Sequence, residues 1–282
     1  MEYIASLSYG KDSVAMLEVI RKNGLPLDRI VHVEIMATEE IPADYPETMQ
    51  WKQYADKIIQ DRYGLTVEHI RARKTYEEMF YGIPNRKSYN TEKQGQIRGF
   101  PSLRSQWCSR ALKVRLMKNL FKGSVQYVGI AADEPKRFGQ LTEAVRSPLV
   151  EYGITEKDCM EICREIGLLA PTYLQSKRNG CWFCHAQPNE QLRLLRKQHP
   201  DFWKKLLEWD AQSPIPFRHG RKCGTHTVAD FDKRFSMEDA GILPENPARF
   251  KWSMIDGEGS TDDLEKRGNR EAEAVRRQEG SA

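Results

Sequence analysis

The order of apolar runs constrains this chain more than any single residue does. Four short β-prone stretches recur along the first half: EYIAS at residues 2–6, RIVHVEIMA at 29–37, LTVEHI at 65–70 and SVQYVGIAA at 124–132. Each of the first, second and fourth leads into residues whose apolar positions repeat at helical spacing, and SLRSQWCSRALKVRLMKNLF (102–121) does the same after a longer interval. PETMQWKQYADKIIQDRYG carries Pro46 near its first turn and Gly64 past its end, and ITEKDCMEICREIGL opens on Thr155 as a helix cap. Strands that alternate with helices require crossover connections. The expected fold is therefore α/β: a parallel sheet with helices on both faces, binding ligands at the carboxyl ends of its strands.

The first strand runs into Ser8-Tyr9-Gly10-Lys11-Asp12-Ser13 and straight on into a helical pattern. A strand that turns on a glycine and opens a helix leaves backbone N–H groups unpaired at the positive end of the helix dipole, which suits an anion, above all a phosphate. Ser6, Ser8 and Ser13 add hydroxyls, Lys11 a charge, and Asp12 a magnesium partner or a cap. The plain alternative is an ordinary connection in which Asp12 or Ser13 caps the helix. The string has neither the two glycines of a Walker loop nor the three of a Rossmann turn.

From about Pro171 the style changes. NGCWFCH is followed by NEQLRLLRKQHPDFWKKLLEWD, helical with a break near Pro200, and then by the basic SPIPFRHGRKCGTHT. Three regions are expected: a nucleotide-binding domain at 1–170, a smaller mainly α subdomain with cysteines at 171–255, and a polar, disordered tail at 256–282. No run reaches membrane-spanning length and the N-terminus lacks a signal-peptide pattern, so no membrane partner and a cytoplasmic location are expected. The net charge of +4 is mild. Basic clusters at Arg71, Arg73 and Lys74, at Arg104, Arg110, Lys113, Arg115 and Lys118, and at Arg218, Arg221 and Lys222 are either solvated faces or contacts for nucleic-acid phosphates.

In the cytoplasm, six cysteines read as metal-binding or redox residues. Cys159 and Cys163 fall on the apolar stripe of their helix and are assigned to the core. Cys181-x-x-Cys184 can grip a metal on a tight turn, with a redox dithiol as the competing reading. Cys108 stands at a predicted helix start, where the dipole with Arg104 and Arg110 is expected to lower its pKa. Cys223 lies beside Lys222 and His226. The set Cys108, Cys181, Cys184 and Cys223 can hold a [4Fe–4S] cluster or zinc, with His185 behind the ligands. Trp107, Trp182 and Phe183 near these thiols are either base-stacking platforms or packing walls.

Ser8 to Ser13 resembles the PP-loop, Ser-Gly-Gly-x-Asp-Ser, of the adenine nucleotide α-hydrolase superfamily. Tyr9 replaces its first glycine, which either crowds an anion or marks a position that tolerates a side chain. With WCSRALK, GIAADEPKRF, SPLVEYGITEKDC and NGCWFCH following in order, residues 1–190 resemble the phosphoadenosine phosphosulfate (PAPS) reductase family, in the branch of phage-borne members and the DNA phosphorothioation sulfurtransferase. The resemblance implies an adenine nucleotide on the loop, clamped by Arg110 and Lys113 and by the segment Asp133-Glu134-x-x-Arg137.

Two chemistries follow from it. In one, ATP with Mg2+ adenylates a substrate oxygen, and sulfur supplied by a cysteine desulfurase displaces AMP, with nucleic acid as the substrate and a cysteine-ligated cluster; Lys11 and Asp12 serve the first step. In the other, Cys223 attacks the sulfonate of PAPS or adenylyl sulfate and a thioredoxin-like donor completes the reduction. KCGTH echoes that family's Glu-Cys-Gly-Leu-His only in part, and Trp107-Cys108 stands where cluster-bearing reductases have a Cys pair. A third reading is a non-catalytic, zinc-stabilised nucleotide-binding module.

Overall fold

The computed structural model describes residues 1–84, 95–102, 106–175, 180–220, 224–244 and 248–255. Its chain divides into two compact units, Met1–Gly224 and Thr225–Ala282. At the centre of the first is a five-stranded sheet built from β1 (Tyr3–Leu7), β2 (Arg29–Glu34), β3 (Val67–Arg71), β4 (Val125–Tyr127) and β5 (Val145–Arg146) in the order β3-β2-β1-β4-β5. Every pairing is parallel: Ile4 lies opposite Arg29, His32 opposite His69 and Ala5 opposite Tyr127. The order reverses direction between β1 and β4, which opens a crevice at the carboxyl ends of those strands.

Alternation along the strands sorts the two faces. Ala5, Leu7, Ile30 and Tyr127 pack with α1 (Lys11–Lys22), α2 (Pro46–Tyr63) and the stripe of α7 (Glu156–Glu165), and Cys159 and Cys163 are fully buried there as expected. Ile4 and Val31 face the other way, onto Phe121, Met117 and Leu120. These belong to, or directly follow, one helical run: α4 (Trp107–Ser109), a π-helical stretch (Arg110–Val114) and α5 (Arg115–Leu120).

The helix signals in the sequence are matched closely. Thr155 caps α7 through a reciprocal box with Asp158, and Gly64 closes α2 in the left-handed conformation. The break at Pro200 separates α9 (Asn189–Gln198) from α10 (Pro200–Gln212). Two short helices complete the part that matters for the site, α3 (Tyr76–Tyr81) and α8 (Thr172–Gln175).

The first unit runs past residue 170, where composition changes. Trp182 and Trp209 are fully buried, stacked 5.4 Å apart at 15°, and Trp209 packs 5.1 Å from Tyr76 and 5.9 Å from Phe80 of α3. This aromatic block joins the cysteine-bearing segment to the sheet domain. In the second unit, α11 (Val228–Asp239) carries a buried Arg234–Glu238 pair at 2.7 Å, with the guanidinium 3.5 Å from the Phe250 ring. No helix among the described residues is long and apolar enough to cross a membrane. The tail at 256–282, Arg104 and Cys223 lie outside the described residues.

Candidate functional site

The turn after β1 is built from its own side chains. Ser13 Oγ accepts from the Ser8 amide at 3.1 Å, donates to the Gly10 carbonyl at 3.0 Å and sits 3.0 Å from Ser8 Oγ. Gly10, extended at φ −79°, is the residue before the helix and makes no side-chain cap. Asp12 and Ser13 therefore lie inside α1 and do not cap it. The amides of Gly10 and Asp12 donate to no protein group among the described residues, and that of Lys11 donates to Tyr173 Oη at 3.1 Å.

Tyr9 settles the question raised by its place in the loop. It is the one described non-glycine residue with positive φ, at 56°, and that twist sends its ring away from the crevice into the core, where it is fully buried. The hydroxyl donates to Asp56 and lies 3.2 Å from His69 Nε2; His69 in turn lies 2.9 Å from the other Asp56 oxygen. The ring packs edge-on against His32 at 4.7 Å and Trp51 at 6.0 Å. A side chain is accommodated here because it points into the core and takes no part in lining the crevice.

Above the turn is a cavity of about 560 Å³, lined by Ser8, Gly10, Lys11 and Asp12, by His32 of β2, Asp44 before α2 and Lys52 of α2, and by Lys113, Glu134 and Arg137. Lys11 Nζ lies 2.7 Å from both Asp12 and Glu156. Burial works against its charge, but the two carboxylates outweigh burial and raise its pKa, so the ammonium stays charged. Burial raises the pKa of Asp12; Lys11 opposes that, and Glu156 and Glu134 add to it. Arg137 is held by Glu134 at 2.8 Å. Burial, then the neighbouring Lys52, push the His32 pKa well down, so its neutral ring donates from Nδ1 to the Leu7 carbonyl (2.8 Å) and accepts from Lys52 at Nε2 (3.0 Å). Ser6 and Arg110 do not line this cavity: Ser6 Oγ accepts from Gln126 at 2.8 Å, and Arg110 is exposed.

A second chamber, about 250 Å³, is lined by Cys108, Cys181 and Cys184 with Tyr76, Phe183 and His185. The two spaces share a wall: Ile35, Lys113, Gly180 and Cys181 line both. Burial, then Cys184, raise the Cys108 pKa, and Lys113 lowers it less. The lowering expected from the helix start is thus outweighed: burial away from water pushes the thiol up by more than the Ser109 and Cys108 amides pull it down. Burial likewise pushes the Cys181 thiol up to about 12. The Cys-x-x-Cys turn closes with Cys184 N–H on the Cys181 carbonyl at 3.0 Å.

Trp182 and Phe183 are packing walls. Trp182 is fully buried, and its indole and backbone N–H groups both donate, at 2.9 Å, to the carbonyls of Pro42 and Ala43. Phe183 and Trp107 are buried against Tyr76, so none of the three offers a face for stacking on a base.

Several residues that position the site carry no motif. The Gln187 amide donates to the Cys181 and Trp182 carbonyls at 2.7 and 2.5 Å, and Arg218 donates to the Gln187 carbonyl and to Asn189 Oδ1 at 2.6 Å. A Cβ on Gly129, after β4, would stand 2.7 Å from Ser13 N and 2.8 Å from the Asp12 carbonyl carbon, so only glycine lets that loop press on the start of α1. No protein-family model matches the chain, and no curated protein matches it.

Among the described residues no group of three His, Cys, Asp or Glu side chains is placed to hold a metal ion. Magnesium needs no such group, since it is bound by one or two carboxylates with substrate phosphates, and Asp12 faces the cavity for that role. Zinc would require its thiolates gathered at ~2.3 Å around one ion. Cys108, Cys181 and Cys184 line one chamber, and three thiols are the donor set that an iron–sulfur cluster with one open iron takes. Cys223, the expected fourth ligand or nucleophile, is outside the described residues.

Proposed function

We propose that the chain is an ATP-using PP-loop enzyme, with the adenine nucleotide α-hydrolase-like fold that its resemblance to the PAPS reductase family implies, which adenylates an oxygen of a nucleic acid for replacement by sulfur. The observation that carries this reading is the shared wall. A cavity of nucleotide size, floored by a helix start, opens beside three cysteines, with Cys181 and Lys113 belonging to both spaces.

The Gly10 and Asp12 amides and Lys11 receive the phosphates; Lys11 exchanges its carboxylate partners for phosphate oxygens, and Arg137 can do the same from Glu134. A substrate oxygen attacks the α-phosphorus, the bond to the β-phosphate's bridging oxygen breaks, and pyrophosphate leaves. Lys113 stands where the adenylated atom must pass, able to offset charge on AMP as sulfur displaces it. Magnesium would be held by Asp12 and would neutralise charge on the departing pyrophosphate. A cluster held by Cys108, Cys181 and Cys184 would supply a site for sulfur beside the activated atom. The exposed Arg71, Arg73, Lys74, Arg110, Arg115 and Lys118 have no ion-pair partner among the described residues, which suits a polyanionic substrate.

The test is release of AMP and pyrophosphate from ATP in the presence of RNA or DNA, for wild type and Asp12→Ala. Loss on the order of 100-fold in the variant is expected for removal of a group acting on transition-state charge. Sulfite release from adenylyl sulfate or PAPS with no ATP cleavage would overturn the reading in favour of reduction. Equal ATP cleavage by both proteins would remove the loop from the chemistry.

A further inference from the structure

Tyr76 is a tyrosine where the surrounding packing calls only for phenylalanine. It opens α3, held by its amide on the Met36 carbonyl at 2.8 Å and by the capping box between Thr75 and Glu78. Its ring is fixed between Phe183 at 4.1 Å, Trp107 at 5.0 Å and Trp209 at 5.1 Å, and the residue is fully buried. The hydroxyl has no hydrogen-bond partner, although a buried hydroxyl left unpaired costs stability that a phenyl ring would not. The residue lines the chamber of Cys108, Cys181 and Cys184. The indole N–H of Trp107, stacked on it and adjacent in sequence to Cys108, is a second buried donor with no partner.

We propose that the Tyr76 hydroxyl donates a hydrogen bond to the sulfur-bearing group held by the three cysteines, completing its own hydrogen bonding only when that group is bound. This rests on the cluster reading given above. A donor aimed at sulfur stabilises the more negative, reduced state and so raises the reduction potential.

The experiment is anaerobic purification of the full chain and of Tyr76→Phe, with iron and sulfide counted, the visible spectrum recorded and the potential measured. Tyr76→Phe is expected to retain iron and to show a tenfold shift toward the oxidised state, which is about 59 mV for a one-electron couple. The iron–sulfur stretching bands should move in D2O for wild type and not for the variant. Metal-free Tyr76→Phe should unfold at the same temperature as metal-free wild type or higher. If the phenylalanine chain does not fold, 3-fluorotyrosine at position 76, a stronger donor of the same shape, should raise the potential. Iron-loaded proteins with identical potentials and D2O responses would overturn this inference alone. A wild-type chain without iron would overturn the cluster reading and the inference together.

Discussion

The anchoring of the β1–α1 loop by Tyr9 yields an ordering of variants that is opposite to what the loop motif suggests. The motif has glycine at this position, and φ of 56° favours glycine, so Tyr9→Gly would be expected to stabilise by relieving ~1–2 kcal/mol of backbone strain. Against that stands a ring with no exposed surface, and removing a buried aromatic side chain costs ~3–5 kcal/mol. The net expectation for Tyr9→Gly is a loss of about 1–4 kcal/mol. Tyr9→Ala loses the ring and keeps the strain, so it should be the worst of the series. Tyr9→Phe keeps the ring and loses the hydroxyl donated to Asp56. Asp56 retains His69 at 2.9 Å and is not orphaned, which places the loss near ~1.5 kcal/mol, the low end for a hydrogen bond to a charged group. Urea unfolding followed by tryptophan fluorescence gives the order directly, as shifts in midpoint at constant slope. A Tyr9→Gly protein at least as stable as wild type would refute the claim that the ring anchors the loop.

Two further perturbations probe the surroundings. Gly129→Ala forces a methyl group against backbone that has nowhere to move, so it should cost ~1–3 kcal/mol and weaken ATP binding measured by calorimetry; unchanged affinity would show that this contact does not shape the loop. Glu18 is buried, which by itself would raise its pKa, but the Arg62 and Arg21 guanidiniums pull it down to about 2. Its folded pKa lies below the unfolded value, so this contribution, about 3 kcal/mol, is present above pH ~4.5 and disappears as pH falls toward 2. The gap in stability between wild type and Glu18→Gln should therefore close between pH 5 and pH 2, and a gap that stays constant would count against the pairing.

The elements legible in the sequence were those written in short-range patterns. β-prone runs gave β1, β2 and β3, and caps gave the ends of α2 and α7, because those signals are satisfied within a few residues. β4 stops at Tyr127, short of the apolar run that continues to Ala132, since Gly129 turns to meet α1. β5 has only Val145 and Arg146, too few residues to show any alternation. The strand–turn–helix of the loop was legible, but the direction of Tyr9 depends on Asp56 and His69, two partners 47 and 60 residues away. The cysteines were legible as a group. The raised pKa values of Cys108 and Cys181 were not, because burial by Tyr76, Phe183 and their neighbours is a property of packing. Gln187 and Arg218 hold backbone carbonyls, a task that leaves no pattern in a sequence.

The loop's setting has a consequence for how the domain comes together. Its short string of residues is complete within the first 13 positions, but its frame arrives much later: Gly129 against Asp12 and Ser13, the Cys163 thiol on the Lys11 carbonyl at 3.2 Å, and the Tyr173 hydroxyl under the Lys11 amide. A growing chain thus carries the motif from the outset and lacks the site until residue 173 has been made and docked. Under the proposed function, nucleotide affinity is in that sense a gauge of completed folding, and fragments ending before Gly129 or before Tyr173 should contain every letter of the motif while binding ATP poorly.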